Sequence, residues 1–184
     1  MRSISKISIL LIAILFAQFS WANDSREYRK IRVDNYQIAV DADPAWDWRV
    51  TWKNGNRVFV YATPEFYYPP ANISVLHFPN EEMPKNALDM RAYSLGVIES
   101  VAKKYGVEPP IRGVSLKRRG VLLGYEVDLS VESKESKDIK IFIARTSEGD
   151  VMSLIAETLP GKISHLEPAI TRSWENIIFL KKDS

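Results

Sequence analysis

The chain contains two histidines, the residue type most often used as a general base or as a metal ligand. His77 lies in a segment with strand-like alternation, in phase with Ile73 and Val75, and His165 lies in a loop before the last predicted helix. Neither belongs to an HExxH pattern or to a closely spaced group of ligands, and the chain has no cysteine that could complete one. We interpret both histidines as structural, so no catalytic residue, metal site or cofactor is predicted.

Patterns for nucleophilic catalysis and phosphate binding are also missing. The sequence has no GxSxG elbow and no SxxK motif with its companion motifs, and its glycines are scattered singly at predicted turns. These observations favour a protein that is not an enzyme.

Three carboxylates, Glu126, Asp128 and Glu132, share one face of a predicted strand whose other face is apolar. The lysines across the expected hairpin are Lys134, Lys137 and Lys140. This pattern is typical of cross-strand ion pairs on a solvated face, each contributing about 0.2–1 kcal/mol. The alternative is a hydrolase, which would need one carboxyl group in an apolar setting.

A small basic cluster, Lys117, Arg118 and Arg119, lies at a predicted turn. We interpret it as a solvated surface feature. Contact with anionic headgroups or with an acidic partner is the alternative.

Aromatic residues crowd into one short stretch of the chain. In the predicted strand 46–52, Trp46, Trp48, Val50 and Trp52 alternate with polar residues, and Asn54-Gly55 follows as a hairpin signal. With the turn at these two residues, the return strand 58–62 places Tyr61 opposite Trp48 and Phe59 opposite Val50; a turn one residue later keeps the same face. We predict that Trp48, Phe59 and Tyr61 are mostly core, because a sheet with a helix partner must bury one face.

The loop after this hairpin places Phe66, Tyr67 and Tyr68 between prolines, in a segment without periodicity. Exposed aromatic clusters usually mark a contact surface. The predicted binding residues are Phe66, Tyr67, Tyr68, Trp46 and Trp52.

The remaining pattern predicts the elements that position these residues. Residues 23–30 are expected to be a frayed lead-in, and strands are predicted at 36–40, 72–78, 111–117, 121–131, 138–145 and 151–159. A middle helix is capped by Asn86, presents Leu88, Ala92, Leu95, Ile98, Ala102 and Tyr105 on one face and ends at Gly106. A closing helix spans 167–178, with Pro168 near its first turn. The short connections favour a mostly antiparallel meander.

Residues 1–22 have the pattern of a secretory signal peptide. Arg2 and Lys6 form a positive region, residues 7–19 are almost uninterruptedly apolar, and small residues at Ser20 and Ala22 predict cleavage before Asn23. The domains expected are therefore a leader at 1–22 and a single domain at 23–184, with a periplasmic location and no stable membrane insertion after cleavage.

Removal of the leader takes away two of the 25 basic residues and none of the 23 acidic residues, so the formal charge becomes zero. Nucleic acid binding depends on clustered positive charge, and we therefore predict no nucleic acid partner.

The predicted elements follow a recognisable order. A strand ends in an acidic-proline turn before Trp46, and an aromatic hairpin, a long middle helix, a meander and a last helix with Ser173-Trp-Glu-Asn-Ile-Ile-Phe179 come after it. This layout resembles the PsbP-like fold, including the bacterial DcrB-like proteins. The resemblance implies the α+β class, with a mostly antiparallel sheet flanked by helices in an α-β-α sandwich, and an accessory, binding or chaperone-like role. Ala45 stands where the family often has glycine, and there is no cysteine for the lipid anchor common in DcrB-like proteins.

Together these observations predict an exported, non-enzymatic module that binds a protein partner in the cell envelope. Inhibitor or immunity-type binding and envelope assembly are two forms of this function. The alternative is an envelope hydrolase or glycan-binding domain that uses carboxylates near the aromatic hairpin.

Overall fold

A computed structural model describes residues 28–34, 36–53, 56–78, 87–132 and 136–180. The predicted leader, its cleavage site and the predicted helix cap at Asn86 lie outside these residues. The described part of the chain contains ten strands and two α-helices. The strands are β1 (Tyr28–Val33), β2 (Tyr36–Asp41), β3 (Asp47–Lys53), β4 (Asn56–Ala62), β5 (Ala71–Phe78), β6 (Ser115–Arg119), β7 (Leu122–Val131), β8 (Lys137–Arg145), β9 (Val151–Thr158) and β10 (Ile178–Phe179). The helices are α1 (Ala87–Lys104) and α2 (Ile163–Glu175), and a 3₁₀ turn spans Ile111–Gly113.

Seven strands form one sheet in the order β3-β4-β5-β9-β8-β7-β6, and β1, β2 and β10 form a second sheet in the order β1-β2-β10. All pairings are antiparallel. The large sheet consists of two meanders, β3 to β5 and β6 to β9, joined where β9 pairs with β5. The predicted α+β class and mostly antiparallel sheet are confirmed.

The aromatic hairpin has the register that a turn at residues 54 and 55 predicts. Trp48 lies opposite Tyr61, and Val50 lies opposite Phe59. Phe59 and Tyr61 are buried, and Trp48 packs against the same cluster. The prediction that these three residues belong to the core is confirmed.

Two separate hydrophobic clusters hold the helices to the sheet. Along β8, Ile141 and Ile143 belong to the cluster under α1, whereas Phe142 and Ala144 belong to the cluster that includes Trp174 of α2. Since side chains alternate across a strand, β8 is buried on both faces. This explains its nearly continuous apolar sequence.

Several predicted boundaries were wrong. Residues 28–30, predicted as part of a frayed lead-in, belong to β1, which pairs along its whole length with β2; residues 23–27 lie outside the described residues. Helix α2 begins at Ile163, four residues before the predicted start, so His165 lies in the helix rather than in a loop. The sequence placed Pro168 in the first turn, where proline is favoured, but it lies further inside the helix.

The buried face of α1 also differs from the predicted one. Met90 and Ser94 are buried together with Ile98 and Ala102, whereas Ala92 is exposed. The Ser94 hydroxyl donates to the Met90 carbonyl at 2.8 Å. This local bond allows a polar side chain inside the core, which a search for apolar spacing does not find.

The two most buried tyrosines predict a loss of stability at alkaline pH. Burial raises the pKa of Tyr36 and of Tyr61 far above the ordinary value of 10.0. The unfolded chain ionises these groups near pH 10 but the folded chain does not, so the free energy of unfolding falls as pH rises above about 10. Urea unfolding between neutral pH and about pH 11 measures this decline.

Two matched variants separate the contributions of these tyrosines. The Tyr36 hydroxyl has no hydrogen-bond partner among the described residues, so Tyr36→Phe is expected to cost little at neutral pH and to flatten the decline. The Tyr61 hydroxyl donates to the Asp41 carbonyl at 3.4 Å, so Tyr61→Phe loses a bond as well. An unchanged alkaline decline in Tyr36→Phe would contradict this account.

Candidate functional site

The segment 63–70 between β4 and β5, here called the aromatic loop, has a fixed base. The Thr63 amide donates to the Ala71 carbonyl at 2.9 Å, and the Ala71 amide donates to Thr63 Oγ1 at 2.7 Å. On the neighbouring strand, Thr158 Oγ1 donates to the Pro70 carbonyl at 2.9 Å. The loop is therefore held to β5 and β9 on both sides of its tip.

The tip of the aromatic loop presents its rings to solvent. Phe66 is 91% exposed and Tyr68 is 64% exposed. The Lys162 ammonium lies 5.4 Å from the centre of the Tyr68 ring. Tyr67 is half-buried, and its hydroxyl donates to Asp43 Oδ2 at 3.5 Å. Two large apolar side chains are thus available for contact on an anchored loop.

The other two predicted binding residues lie in different surroundings. Trp46 is half-buried and stacks on Tyr61 with ring centres 4.1 Å apart, so much of its surface belongs to the core. Its amide donates to the carbonyl of Asp43, the residue that Tyr67 also contacts, which places it beside the aromatic loop. Trp52 is 67% exposed but lies at the other end of β3, about 20 Å away for six residues of strand. The five residues therefore do not form one surface.

An open cleft of about 440 Å³ adjoins the aromatic loop. Its lining includes Glu65, Pro70, Asn72, Lys137, Glu157 and Leu159. A second hollow of about 210 Å³ lies on the face of β3, β4, β5 and β9 and shares Asn72 and Glu157 with the first. The two hollows are therefore neighbours, and the larger one borders the aromatic loop through Glu65 and Pro70.

Glu157, at the junction of the two hollows, is neutralised by its neighbours. The Tyr105 hydroxyl donates to Glu157 Oε1 at 3.1 Å, and Lys137 Nζ lies 3.6 Å from Oε2. Burial alone would lower the pKa of Lys137, but the Glu157 carboxylate and the Tyr105 hydroxyl together more than offset this effect, and the pKa is raised. Glu157 therefore lines the cleft as an ion-paired carboxylate.

The prediction of a solvated carboxylate face on β7 is correct for Asp128 and Glu132, which are exposed, but wrong for Glu126, which is buried. Arg119 donates to Glu126 through Nε at 2.9 Å and through Nη2 at 3.1 Å, and the side chains of these two residues are 10% and 9% exposed. Glu167 of α2 lies 2.8 Å from Arg119 Nη2, and Lys140 Nζ lies 3.0 Å from Asp128 Oδ1. We call the set of Arg119, Lys140, Glu126, Asp128, Glu167 and Glu175 the ion cluster.

The ion cluster joins α2 to the sheet. Burial alone would lower the pKa of Arg119 and of Lys140, but their bonds to Glu126 and Asp128, respectively, raise both above the ordinary values. The Arg119 guanidinium also lies 5.7 Å from the centre of the Trp174 ring. Arg119, which was predicted to be solvated, is therefore the buried centre of the ion cluster. Its burial depends on α2, which packs over it.

A second buried pair fixes α2 to β2. Arg172 Nη2 lies 2.6 Å from Asp41 Oδ2, and both side chains are nearly inaccessible. Elsewhere, His77 Nε2 lies 2.8 Å from Asp150 Oδ2 and ties β5 to the start of β9. His165 is exposed on α2. Within the described ranges, no group of three or more histidine, aspartate or glutamate side chains is placed to hold a metal ion.

No protein-family model matches the sequence, and no curated protein matches it. Solved structures do match the fold. A crystal structure of a protein from Bacteroides thetaiotaomicron has a TM-score of 0.53 at 11% identity; the match covers 82% of this chain and 47% of that one. This chain thus spans about half the length of that protein.

The solution structure of PsbP from the cyanobacterium Synechocystis has a TM-score of 0.52 at 8% identity, and the match covers 84% of this chain and 93% of that one. Among the described helices, none has the length and apolar character needed to cross a membrane. At these identities the likeness concerns the fold alone. The predicted resemblance is confirmed at that level: the chain has a PsbP-like fold.

Proposed function

We propose that this protein is an exported, non-enzymatic accessory module of the bacterial cell envelope that binds a protein partner through the aromatic loop and the adjoining cleft. In this proposal the sheet and its two helices form the three-layer α-β-α arrangement that the PsbP-like resemblance implies. The leader pattern at residues 1–22 supports export to the periplasm.

The exposure of Phe66 and Tyr68 carries the proposal. A folded chain gains stability by burying large apolar rings, yet these two rings remain in solvent on a loop anchored at both sides. Rigid aromatic side chains lose little conformational entropy on binding, and such anchors dominate many protein interfaces. The loop therefore has the features of a preorganised contact.

The surroundings of two carboxylates of the large sheet support this proposal over the hydrolase alternative. Glu126 is bonded to Arg119, and Glu157 is paired with Lys137 and Tyr105. A glycosidase acid needs a carboxyl group that keeps its proton in an apolar setting. Glycan binding by the exposed rings remains the second outcome of the test below.

The decisive experiment is site-specific cross-linking in the envelope of living cells. A photoreactive phenylalanine analogue at Phe66 is expected to capture one defined protein, identified by mass spectrometry. The same analogue at Tyr28, which is 54% exposed on β1, provides the control. Equal adducts at both positions, or a glycan adduct at Phe66, would contradict protein binding through the loop.

Retention of that captured protein by the purified chain gives the quantitative test. The double substitution Phe66→Ala and Tyr68→Ala is expected to weaken retention at least about tenfold, because central aromatic anchors supply much of the binding energy. The melting temperature should stay almost unchanged, since both side chains are exposed. A large fall in melting temperature would show instead that the loop is structural.

A further inference from the structure

The outer edge of β3 carries unused hydrogen-bonding groups. Within the described ranges, β3 pairs only with β4 and lies at one end of the seven-stranded sheet. The pairing of β4 with β5 shows which backbone groups of β3 bond to β4. The Thr63 amide, just after β4, donates to the Ala71 carbonyl of β5, so the backbone groups of the odd-numbered residues of β4 point toward β5. The even-numbered residues of β4 therefore bond to β3, because the two sides of a strand alternate.

The register then fixes which groups of β3 point outward. Even-numbered residues of β4 lie opposite Asp47, Arg49 and Thr51, and these three bond inward. The amides and carbonyls of Trp48, Val50 and Trp52 consequently face the open edge. An edge of this length with apolar side chains is a template for another strand.

The sequence of this edge is complementary to itself. Read in the two directions from Val50, the strand Asp-Trp-Arg-Val-Thr-Trp-Lys has tryptophan at the second position on each side and opposite charges at the third. We propose that two copies of this chain associate through β3, antiparallel, with Val50 on the two-fold axis. Trp48 then lies opposite Trp52 of the second copy, and Asp47 lies opposite its Lys53.

This register agrees with the backbone. Trp48 with Trp52, and Val50 with Val50, become hydrogen-bonded pairs, and these are the three residues whose groups point outward. The resulting interface has closed two-fold symmetry, in which one surface serves both copies.

Charge excludes the neighbouring registers of the same phase. A shift of two residues in one direction places Arg49 opposite Arg49 of the second copy. A shift of two residues in the other direction places Arg49 opposite Lys53 of the second copy. Like charges in directly opposite positions destabilise a strand pair. Of these three registers, only the one centred on Val50 places unlike charges directly opposite one another.

The exposed apolar surface of the strand supports the same interface. Trp52 is 67% exposed and Val50 is 38% exposed, and both would be covered by the second copy. Arg57, whose guanidinium lies 5.2 Å from the centre of the Trp52 ring, is paired with Asp34 at 2.9 Å. Arg57, which lies beside Trp52, therefore enters the interface with its charge already paired.

Charge reversal tests the association. Protein purified from cells that express the full sequence is expected to sediment with twice the mass of one chain. Asp47→Lys alone and Lys53→Glu alone should each weaken self-association at least about tenfold, because each places like charges opposite one another twice. An equimolar mixture of the two variants should restore the dimer, since each variant then meets its complement.

Cross-linking tests the register. The chain has no cysteine, so Val50→Cys introduces a single thiol that can form a disulfide only between copies. Hydrogen-bonded antiparallel pairs have Cα atoms about 5.5 Å apart, a spacing that suits a disulfide. Thr51→Cys is the matched control, because residue 51 lies opposite Arg49 of the second copy and not opposite itself.

A protein that is a monomer at every concentration would overturn the proposal, as would a dimer that Asp47→Lys leaves intact. A monomer whose β3 edge is covered by residues 1–27 of its own chain would overturn it too. Failure of the mixed charge variants to associate, or equal cross-linking at positions 50 and 51, would rule out this register.

Discussion

Replacement of Arg119 by methionine is expected to lower the free energy of unfolding by about 3–5 kcal/mol. Arg119 makes two bonds to Glu126 and one to Glu167, and its side chain is 10% exposed. Methionine fills a similar volume but leaves the Glu126 carboxylate buried with Lys140 at 3.6 Å as its remaining cation. Most of the cost comes from this poorly compensated charge. Urea unfolding at neutral pH measures it.

The adjacent basic residues provide the controls. Lys117 and Arg118 belong to the same short basic cluster but are exposed, so methionine at either position should change stability by no more than about 0.5 kcal/mol. Combining Arg119→Met with Glu126→Gln should recover part of the loss, because the buried carboxylate is then gone. Equal effects at positions 118 and 119 would show that the ion cluster contributes nothing to stability.

Replacement of Gly120 by alanine is expected to cost about 2–5 kcal/mol. Gly120 has a φ of +56° at the turn between β6 and β7, and an added Cβ would lie 2.1 Å from the Glu175 carbonyl oxygen at the end of α2. That contact is with backbone, so either the turn or the helix end must move. We expect the melting temperature to fall, and calorimetry gives the magnitude.

Gly106 separates the two causes of this effect. It has a similar φ of +69° at the end of α1, but an added Cβ would meet nothing within 4 Å. Gly106→Ala therefore measures the conformational penalty alone, about 1–2 kcal/mol. If both alanine variants lose the same stability, the close approach of α2 to the turn is not a constraint.

Much of the local structure could be predicted from the sequence. The alternation around Trp48 and the Asn54-Gly55 signal give the correct hairpin register, and the strands near residues 122–131, 137–145 and 151–158 lie where the pattern places them. These features depend on contacts between residues close in the chain. The exposed position of Phe66 and Tyr68 agrees with the lack of periodicity in their loop.

The candidate binding site was predicted only in part. Phe66 and Tyr68 are exposed as predicted, but Trp46 is held by Tyr61 and Trp52 lies at the far end of the strand. Sequence proximity grouped these residues, although six residues of extended strand separate Trp46 from Trp52 by about 20 Å. The cleft beside the loop depends on Glu157 and Lys137, which come from β9 and β8 and show no signal in the sequence.

The sequence alone determined most of the strands, the presence of both helices, the hairpin register and the chemistry of the aromatic loop, because these follow from residue type and short spacing. The tertiary structure decided which face of each element is buried. Along β7, burial changes from Leu122 and Glu126 on one face to Leu129 and Val131 on the other. The first pair lies on the side of α2 and the second under α1. The alternation of a strand does not show that two helices pack against it from opposite sides. For the same reason the sequence predicts Arg119 to be a surface charge, whereas in the structure α2 covers it.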